Sequence, residues 1–273
     1  MECIICNSSM RFFVSKKFQT FKLDIVDYWR CENCGFTISK THADMSPSAW
    51  ESLDHDYHPS YQGKEFNPND PWWIARLLSQ ANILYDATQI GLLDGRGRWL
   101  DYGCGDGKLS NILSTQQNLR LLKYDRYMPA QEDFLKDGDL MPRGFDFVIT
   151  TSVFEHLRRR EQLDFVESLV SDNGVFAIHT LVCENVPRDA SWFYLVPLHC
   201  TFHTNKSMSL LLQQWGYTSS VYNVGARLWL CFKSPRTDVE ARIQQANNRP
   251  HGPFYVYKQG FVDYWKGEPL RKT

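Results

Sequence analysis

The sequence predicts an α/β fold: a largely parallel sheet with helices between its strands, closed by an antiparallel last strand and preceded by a small cysteine-bearing module. Three observations carry this reading. Short apolar runs alternate with helix-period segments from Arg98 to Trp215, and such alternation folds as parallel strands joined by crossover helices. The last two apolar runs, near 217–224 and 227–233, are joined only by VGAR, so they form an antiparallel hairpin. Two C-x2-C pairs, Cys3/Cys6 and Cys31/Cys34, stand in the first forty residues, outside that alternation.

A chain of 273 residues has room for one sizeable α/β domain and an appendage. With 43% hydrophobic and 22% charged residues, a packed core is expected. The formal net charge of −1 supplies no basic excess and argues against a nucleic-acid or membrane-surface partner. No apolar run approaches the roughly 18 residues that span a bilayer. MECIICNSSMRFF lacks the apolar centre of a secretory signal, so the expectation is a cytoplasmic protein without a membrane span. Nothing in the pattern sets an oligomeric state.

Residues 1–40 read as a zinc-binding module. Tetrahedral zinc takes four thiolates, and a C-x2-C turn aims two of them at one ion. Asn7 and Gly35 follow the two pairs, and both residue types accept the left-handed backbone such a turn needs. Disulfides are the alternative, and the lack of a secretion signal speaks against them. Four cysteines close the coordination sphere, so Cys3, Cys6, Cys31 and Cys34 predict a structural ion. Cys104, Cys183, Cys200 and Cys231 are scattered and read as small buried hydrophobes.

Residues 41–95 form a connecting helical or lid segment. Its first part is rich in His, Asp, Tyr, Pro and Ser, and His42, His55 and His58 there read as exposed connector residues rather than a second metal site. Asp70-Pro71 starts a helix, as N-cap and first helical residue, and Gly91 or Gly95 ends it. In the core, 96–234, strands are predicted near 98–102, 119–124, 145–151, 174–182, 217–224 and 227–233, with helices over 106–116, 157–170 and 205–215. An aromatic extension, 235–273, begins with a charged helix-like piece. Its Phe254, Tyr255, Tyr257, Phe261, Tyr264 and Trp265 need cover from the core or a partner.

RWLDYGCGDGKLSNIL, Arg98–Leu113, places Gly103, Gly105 and Gly107 between a strand and a helix. Glycines there permit a tight turn and let backbone N–H groups approach a ligand at the carboxyl end of the strand. A G-x-G is weak evidence alone. Asp101 sharpens it, because a carboxylate beside the loop disfavours a pyrophosphate and tolerates a cation. Asp125 ends the next strand, where an acid accepts hydrogen bonds from ribose hydroxyls. Together they suggest a nucleoside without phosphates that carries a charged amino-acid end. A dinucleotide site would show G-x-G-x-x-G instead.

These residues carry a family resemblance. WLDYGCGDG resembles motif I of the class I S-adenosylmethionine (SAM)-dependent methyltransferases, FDFVITTSVFEHL (145–157) their fourth strand and its loop, and HCTFHTNKSMSLLLQQWGY (199–217) the approach to their sixth strand. The resemblance covers 96–234 and implies a Rossmann-like sheet with SAM as cofactor. Its implied SAM contacts are Asp101, Tyr102, Gly103, Cys104 and Gly105, then Asp125 and Arg126, an adenine contact at Asp139 and Leu140, and Thr151 at the end of strand four. Only about twenty residues separate Asp125 from Phe145, so the usual third strand must be shortened. A four-cysteine module before such a core resembles deoxysugar C-methyltransferases and the methyltransferases of polysaccharide biosynthesis. The former carry a further large C-terminal domain without counterpart here, which favours O-methylation of a sugar or other small acceptor.

A hydroxyl acceptor needs a base to take its proton, and histidine titrates near neutrality. His199, beside the aromatic run SWFYLVPLH, is the first candidate; His156 and Glu155, just past the fourth strand, are the others. His203 fits a helix-entry role better. Arg158, Arg159 and Arg160 read as a solvated face. The competing functions are an RNA or protein methyltransferase gripping its substrate with the zinc module, and a SAM-binding scaffold without catalysis.

Overall fold

The cysteine pairs, the short strands near them and two stretches of the alternating segment form one compact unit, and the rest of that segment belongs to another. The computed structural model describes residues 1–62, 71–128, 132–233 and 237–263. Asp70, Tyr264, Trp265 and the side chain of His58 lie outside the described residues. One unit comprises 1–69, 152–164 and 181–211, and the other 70–151, 165–180 and 212–273. They are called the cysteine unit and the sheet unit below.

In the cysteine unit, β1 (Met10–Lys17) pairs antiparallel with β2 (Ile25–Cys31), and β2 with β3 (Thr37–Ser39). Two strands from much later in the chain, β8 (Val182–Cys183) and β9 (Thr201–Thr204), complete a sheet of order β1-β2-β3-β9-β8. Helix α1 (Lys40–Ala43) follows, capped by the Ser39 side chain on the His42 N–H. The polar stretch expected as an exposed connector then forms a helix, α2 (Pro47–Gln62). Ser46 accepts from the Ala49 N–H and Pro47 opens the first turn, a favoured start. Trp50, Leu53 and Asp54 are buried at helical spacing; the many polar residues around them hide that stripe in the sequence.

The sheet unit begins with α3 (Pro71–Gln89), whose Leu77, Ala81, Leu84 and Ala87 are buried on one stripe. Strands β4 (Trp99–Tyr102), β5 (Leu121–Tyr124), β6 (Phe145–Thr151) and β7 (Val170–His179) pair in parallel in the order β5-β4-β6-β7. Their stretches 99–100, 147–150 and 175–178 are buried on consecutive residues, as strands covered on both faces are. Helix α4 (Lys108–Gln117) follows β4. Helices α5 (Arg160–Ser168) and α6 (Asn205–Gln214) each cross a boundary between the two units along the chain. The expected hairpin is present as β10 (Ser219–Asn223) and β11 (Leu228–Phe232), with β11 antiparallel to β7.

Two further features complete this sheet. The missing third strand is reduced to a single parallel bridge, Lys123 to Phe134, with the Leu135 N–H donating to the Lys123 carbonyl at 2.8 Å. The aromatic extension, after α7 (Thr237–Asn247), supplies a further strand, β12 (Tyr255–Gln259), antiparallel to β10 at the sheet edge. Tyr255 is buried there, and Phe261 stacks on Trp229 at 5.3 Å between ring centroids. The described aromatics of the extension thus find their cover within the sheet unit.

Gly107 holds the junction of β4 and α4. It is the N-cap of α4 at φ +71°, and a Cβ there would stand 2.5 Å from Lys123 Cδ. Gly107→Ala is expected to destabilise the fold by about 1–2 kcal/mol, the cost of left-handed backbone in a residue with a side chain. A lowered urea midpoint with unchanged slope is the readout; an unchanged midpoint would show that the turn relaxes freely.

Candidate functional site

In the sheet unit, strand order reverses at β4: the chain turns to β5 on one side and to β6 on the other. Ligands of open α/β sheets bind outside the carboxyl ends of the strands at such a point, and β4 ends in Asp101 and Tyr102. Gly103, Gly105 and Gly107 all have positive φ, at 76°, 57° and 71°. Gly103 and Cys104 donate their N–H groups to the Tyr124 carbonyl at 2.8 and 3.1 Å, tying the loop to the end of β5. The Asp125 carboxylate is pinned as well. Its Oδ2 accepts from the Gly105 N–H at 2.8 Å, and its Oδ1 from Tyr127 and Met128 at 2.9 and 3.1 Å. Oδ1 spends both lone pairs on these amides, and Oδ2 keeps a second one for a ligand.

Asp101 is the unusual residue. It is 1% exposed, and its Oδ1 has no hydrogen-bond partner among the described residues. Burial pushes its carboxyl up to about 8, and the neighbouring Asp125 and Asp106 charges add to the shift. An orphaned buried oxygen is costly, and a site that awaits a donor or a cation accounts for it. The donor set therefore fits the nucleoside with a charged amino-acid end that the sequence suggests.

The remaining expected contacts spread outward from this loop. Tyr102 packs on Tyr124 with centroids 5.1 Å apart, and the Tyr124 hydroxyl donates to Asp137 at 2.8 Å. Arg126 is exposed. Asp139 is also exposed and spends one oxygen on the Lys136 N–H of its own turn, while Leu140 beside it is buried. Thr151 is half-buried at the end of β6, opposite His179.

The three candidates for proton chemistry come together in the cysteine unit. Glu155 and His156 lie on a 3-10 turn, Phe154–His156, and His199 closes an irregular loop before β9. One ligand atom from each of Glu155, His156 and His199 lies within 4.8 Å of the others. Glu155 is buried, while the His156 and His199 rings are half-buried and meet edge to face at 5.1 Å. Tyr194, which the sequence reading passed over as one of an aromatic run, holds two of them. Its hydroxyl donates to Glu155 Oε1 at 2.6 Å, its carbonyl lies 2.9 Å from His199 Nδ1, and its ring packs 4.3 Å from that imidazole. A carbonyl only accepts, so Nδ1 carries the proton and Nε2 the lone pair. Burial pulls His199 down to about 4, and His156 adds to this against the opposing effects of Glu155 and the Tyr194 carbonyl.

Other polar residues of this unit do structural work. His42 is fully buried between Ser39 Oγ at 2.7 Å and the Pro197 carbonyl at 2.9 Å. His203 is 1% exposed between the rings of Phe36 and Phe154, and neither ring nitrogen has a hydrogen-bond partner among the described residues. The arginine triplet is not a solvated face. Arg158 is buried over Trp50 and donates to the carbonyls of His42 and Met45, and Arg160 bonds Asp164 and the Ile4 carbonyl. Arg159 alone of the three is exposed.

The four cysteine sulfurs also converge within 4.8 Å of one another. Cys3 and Cys34 Sγ are 3.7 Å apart and Cys6 and Cys31 Sγ 3.5 Å, against about 2.05 Å for a disulfide. A tetrahedron with metal–sulfur bonds of 2.3 Å has edges of about 3.8 Å. Backbone N–H groups of Ile5 and Cys34 donate to Cys3 and Cys31 sulfurs at 3.4 Å, and Asn7 and Gly35 take the left-handed backbone expected of them. The cluster fits a closed tetrahedral ion.

The family profile for a methyltransferase domain matches residues 75–220, more than half of the 273-residue chain. The chain is a SAM-dependent methyltransferase. Its seven-stranded sheet is the Rossmann-like sheet of that family, with β11 as the antiparallel strand. Solved methyltransferases resemble it at low identity. The Haemonchus contortus phosphoethanolamine N-methyltransferase 2 is 13% identical over 88% of this chain and 58% of its own, with a TM-score of 0.49. The plantazolicin methyltransferase BpumL in complex with SAH is 12% identical over 77% of this chain and 95% of its own, with a TM-score of 0.43. A SAM-dependent methyltransferase from Thermotoga maritima is 13% identical over 66% and 100%, with a TM-score of 0.38. No curated protein matches the sequence. Among the described residues, no helix of this methyltransferase is long and apolar enough to cross a membrane.

Proposed function

We propose that this methyltransferase transfers the methyl group of SAM to an oxygen of a small, sugar-like acceptor, with SAM held by the loop from Asp101 to Gly105 and by Asp125. The buried, unpartnered Oδ1 of Asp101 is the observation that carries the reading. Bound SAM supplies an electrophilic methyl for an in-line displacement, in which positioning does much of the work. Asp101 sets a carboxylate against the cationic end of the donor. Asp125, fixed by three backbone amides, offers its remaining Oδ2 lone pair to a ribose hydroxyl. In this reading Tyr102, Arg126, Asp139, Leu140 and Thr151 are the further contacts of the donor.

The acceptor hydroxyl must lose a proton as its oxygen attacks. We assign its activation to Glu155, His156 and His199, the cluster that the chain enters within a few residues of leaving β6. In this reading Cys3, Cys6, Cys31 and Cys34 hold a structural zinc ion. The near-zero net charge favours a small acceptor over RNA.

Calorimetry with SAM on the purified protein is expected to show one site per chain; absence of binding would end the reading. A screen with methyl-labelled SAM then assigns the acceptor. Label in saccharides with base-stable linkage supports O-methylation. Label confined to RNA or protein extracts would replace the proposed acceptor class.

A further inference from the structure

We propose that Glu155, His156 and His199 bind a divalent first-row cation, at a site distinct from the four cysteines. A general base needs one lone pair and one group to orient it. Here a buried carboxylate and two imidazoles converge, with one ligand atom of each within 4.8 Å of the others. Two histidines and one carboxylate form a ligand set that leaves coordination positions open, unlike the closed four-cysteine cluster.

The surroundings are those of a ligand set. A metal-binding imidazole donates its other ring N–H to a carbonyl or carboxylate, and a metal-binding carboxylate is itself hydrogen-bonded. His199 donates from Nδ1 to the Tyr194 carbonyl at 2.9 Å, which leaves Nε2 as the ligand atom. Glu155 Oε1 accepts from the Tyr194 hydroxyl at 2.6 Å. One residue thus orients two of the three ligands. The nitrogen and oxygen donors suit zinc, cobalt or manganese, whereas the thiolates of the other cluster select softer binding.

The role of such a cation rests on the proposed methyl transfer; its binding does not. An open position would take the acceptor hydroxyl as a ligand, whose proton would pass to solvent water as its oxygen bonds to the methyl carbon and the carbon–sulfur bond of SAM breaks to release S-adenosylhomocysteine. The acceptor class narrows accordingly to molecules that present an accessible hydroxyl, with a neighbouring oxygen able to occupy the second open position.

The test is titration of the full-length protein, its cysteine site loaded with zinc, with Co2+ alone. Expected is one further equivalent per chain, with a visible spectrum of nitrogen and oxygen ligation that lacks sulfur-to-cobalt charge transfer. Glu155→Gln, which keeps the side-chain shape, and His199→Ala should each abolish it. Tyr194→Phe should weaken it about 10–100-fold, the usual effect of losing an orienting partner. No second equivalent in the parent protein, or unaltered binding in folded Glu155→Gln, overturns the proposal. SAM calorimetry on the same samples separates the two readings. SAM binding without Co2+ binding overturns the cation site alone, and Co2+ binding without SAM binding overturns the donor site alone.

Discussion

Chelation of the zinc ion proposed for the four cysteines, or replacement of Cys31 and Cys34 by serine, is expected to unfold the sheet of the cysteine unit. That sheet is built from little. Strand β3 has three residues, β8 two and β9 four. Cys31 ends β2 and Cys34 stands three residues before β3, so their turn sets the antiparallel return that pairs Tyr28 with Ser39 and Arg30 with Thr37. The first pair ties down the chain entering β1. A structural zinc ion contributes about 10–16 kcal/mol in small zinc modules, as much as the whole stability of a typical domain, about 5–15 kcal/mol. Without it, two C-x2-C turns would bring four thiols together with only weak S–H bonds between them. Hydrogen exchange of the Tyr28, Trp29 and Ile38 amides is the measurement. Protection should collapse as one zinc per chain appears in a chromogenic chelator. Protection that survived complete removal of the metal would show that the hydrophobic contacts of Tyr28, Phe36 and Ile38 suffice.

The sheet and the glycine turn of the proposed donor site were legible in the sequence because their signals are local. A buried parallel strand is a short apolar run, and β6 begins and ends where the run 145–151 does. Gly103, Gly105 and Gly107 announce a positive-φ turn that few other residues could make. Asn7 and Gly35 did the same for the cysteine turns. What escaped was set by distant partners. Helix α2 keeps its buried stripe to Trp50, Leu53 and Asp54 among many polar residues, so composition outvoted period. Arg158 looked like surface until Trp50 and the carbonyls of His42 and Met45 were found around it. Strand β12 exists because β10 offers it an open edge, which no reading of residues 255–259 alone reveals. Tyr194 matters through its hydroxyl and its carbonyl together, and a sequence position shows neither.

Binding of SAM is expected to strengthen as pH rises from 6 to 8, with release of a proton, and Asp101→Asn is expected to remove both effects. The argument is one of linkage. Burial holds the Asp101 carboxyl at about 8 in the folded protein, against its ordinary value of 3.8. Between these values the unfolded chain binds fewer protons than the folded one, so the ligand-free protein loses stability as pH rises from about 4 to about 8 and no further above it. A cationic donor reverses the preference. Its charge favours the ionised carboxylate, so below pH 8 binding must expel the proton that Asp101 carries, and this costs most at the lowest pH. Affinity should therefore rise by up to about tenfold per pH unit below 8. The calorimetric enthalpy at pH 6.5 should vary with the ionisation enthalpy of the buffer, in proportion to the proton released. Asp101→Asn keeps the shape, loses the charge, and should weaken SAM by about 30-fold or more, the loss of 2 kcal/mol or above that follows truncation of a buried charge pair. The same variant should be the more stable protein at pH 8 without ligand, because the unfolded state no longer gains by ionising that side chain. An affinity for SAM that is flat from pH 6 to 8, or normal binding by Asp101→Asn, would place the cationic end of the donor away from Asp101.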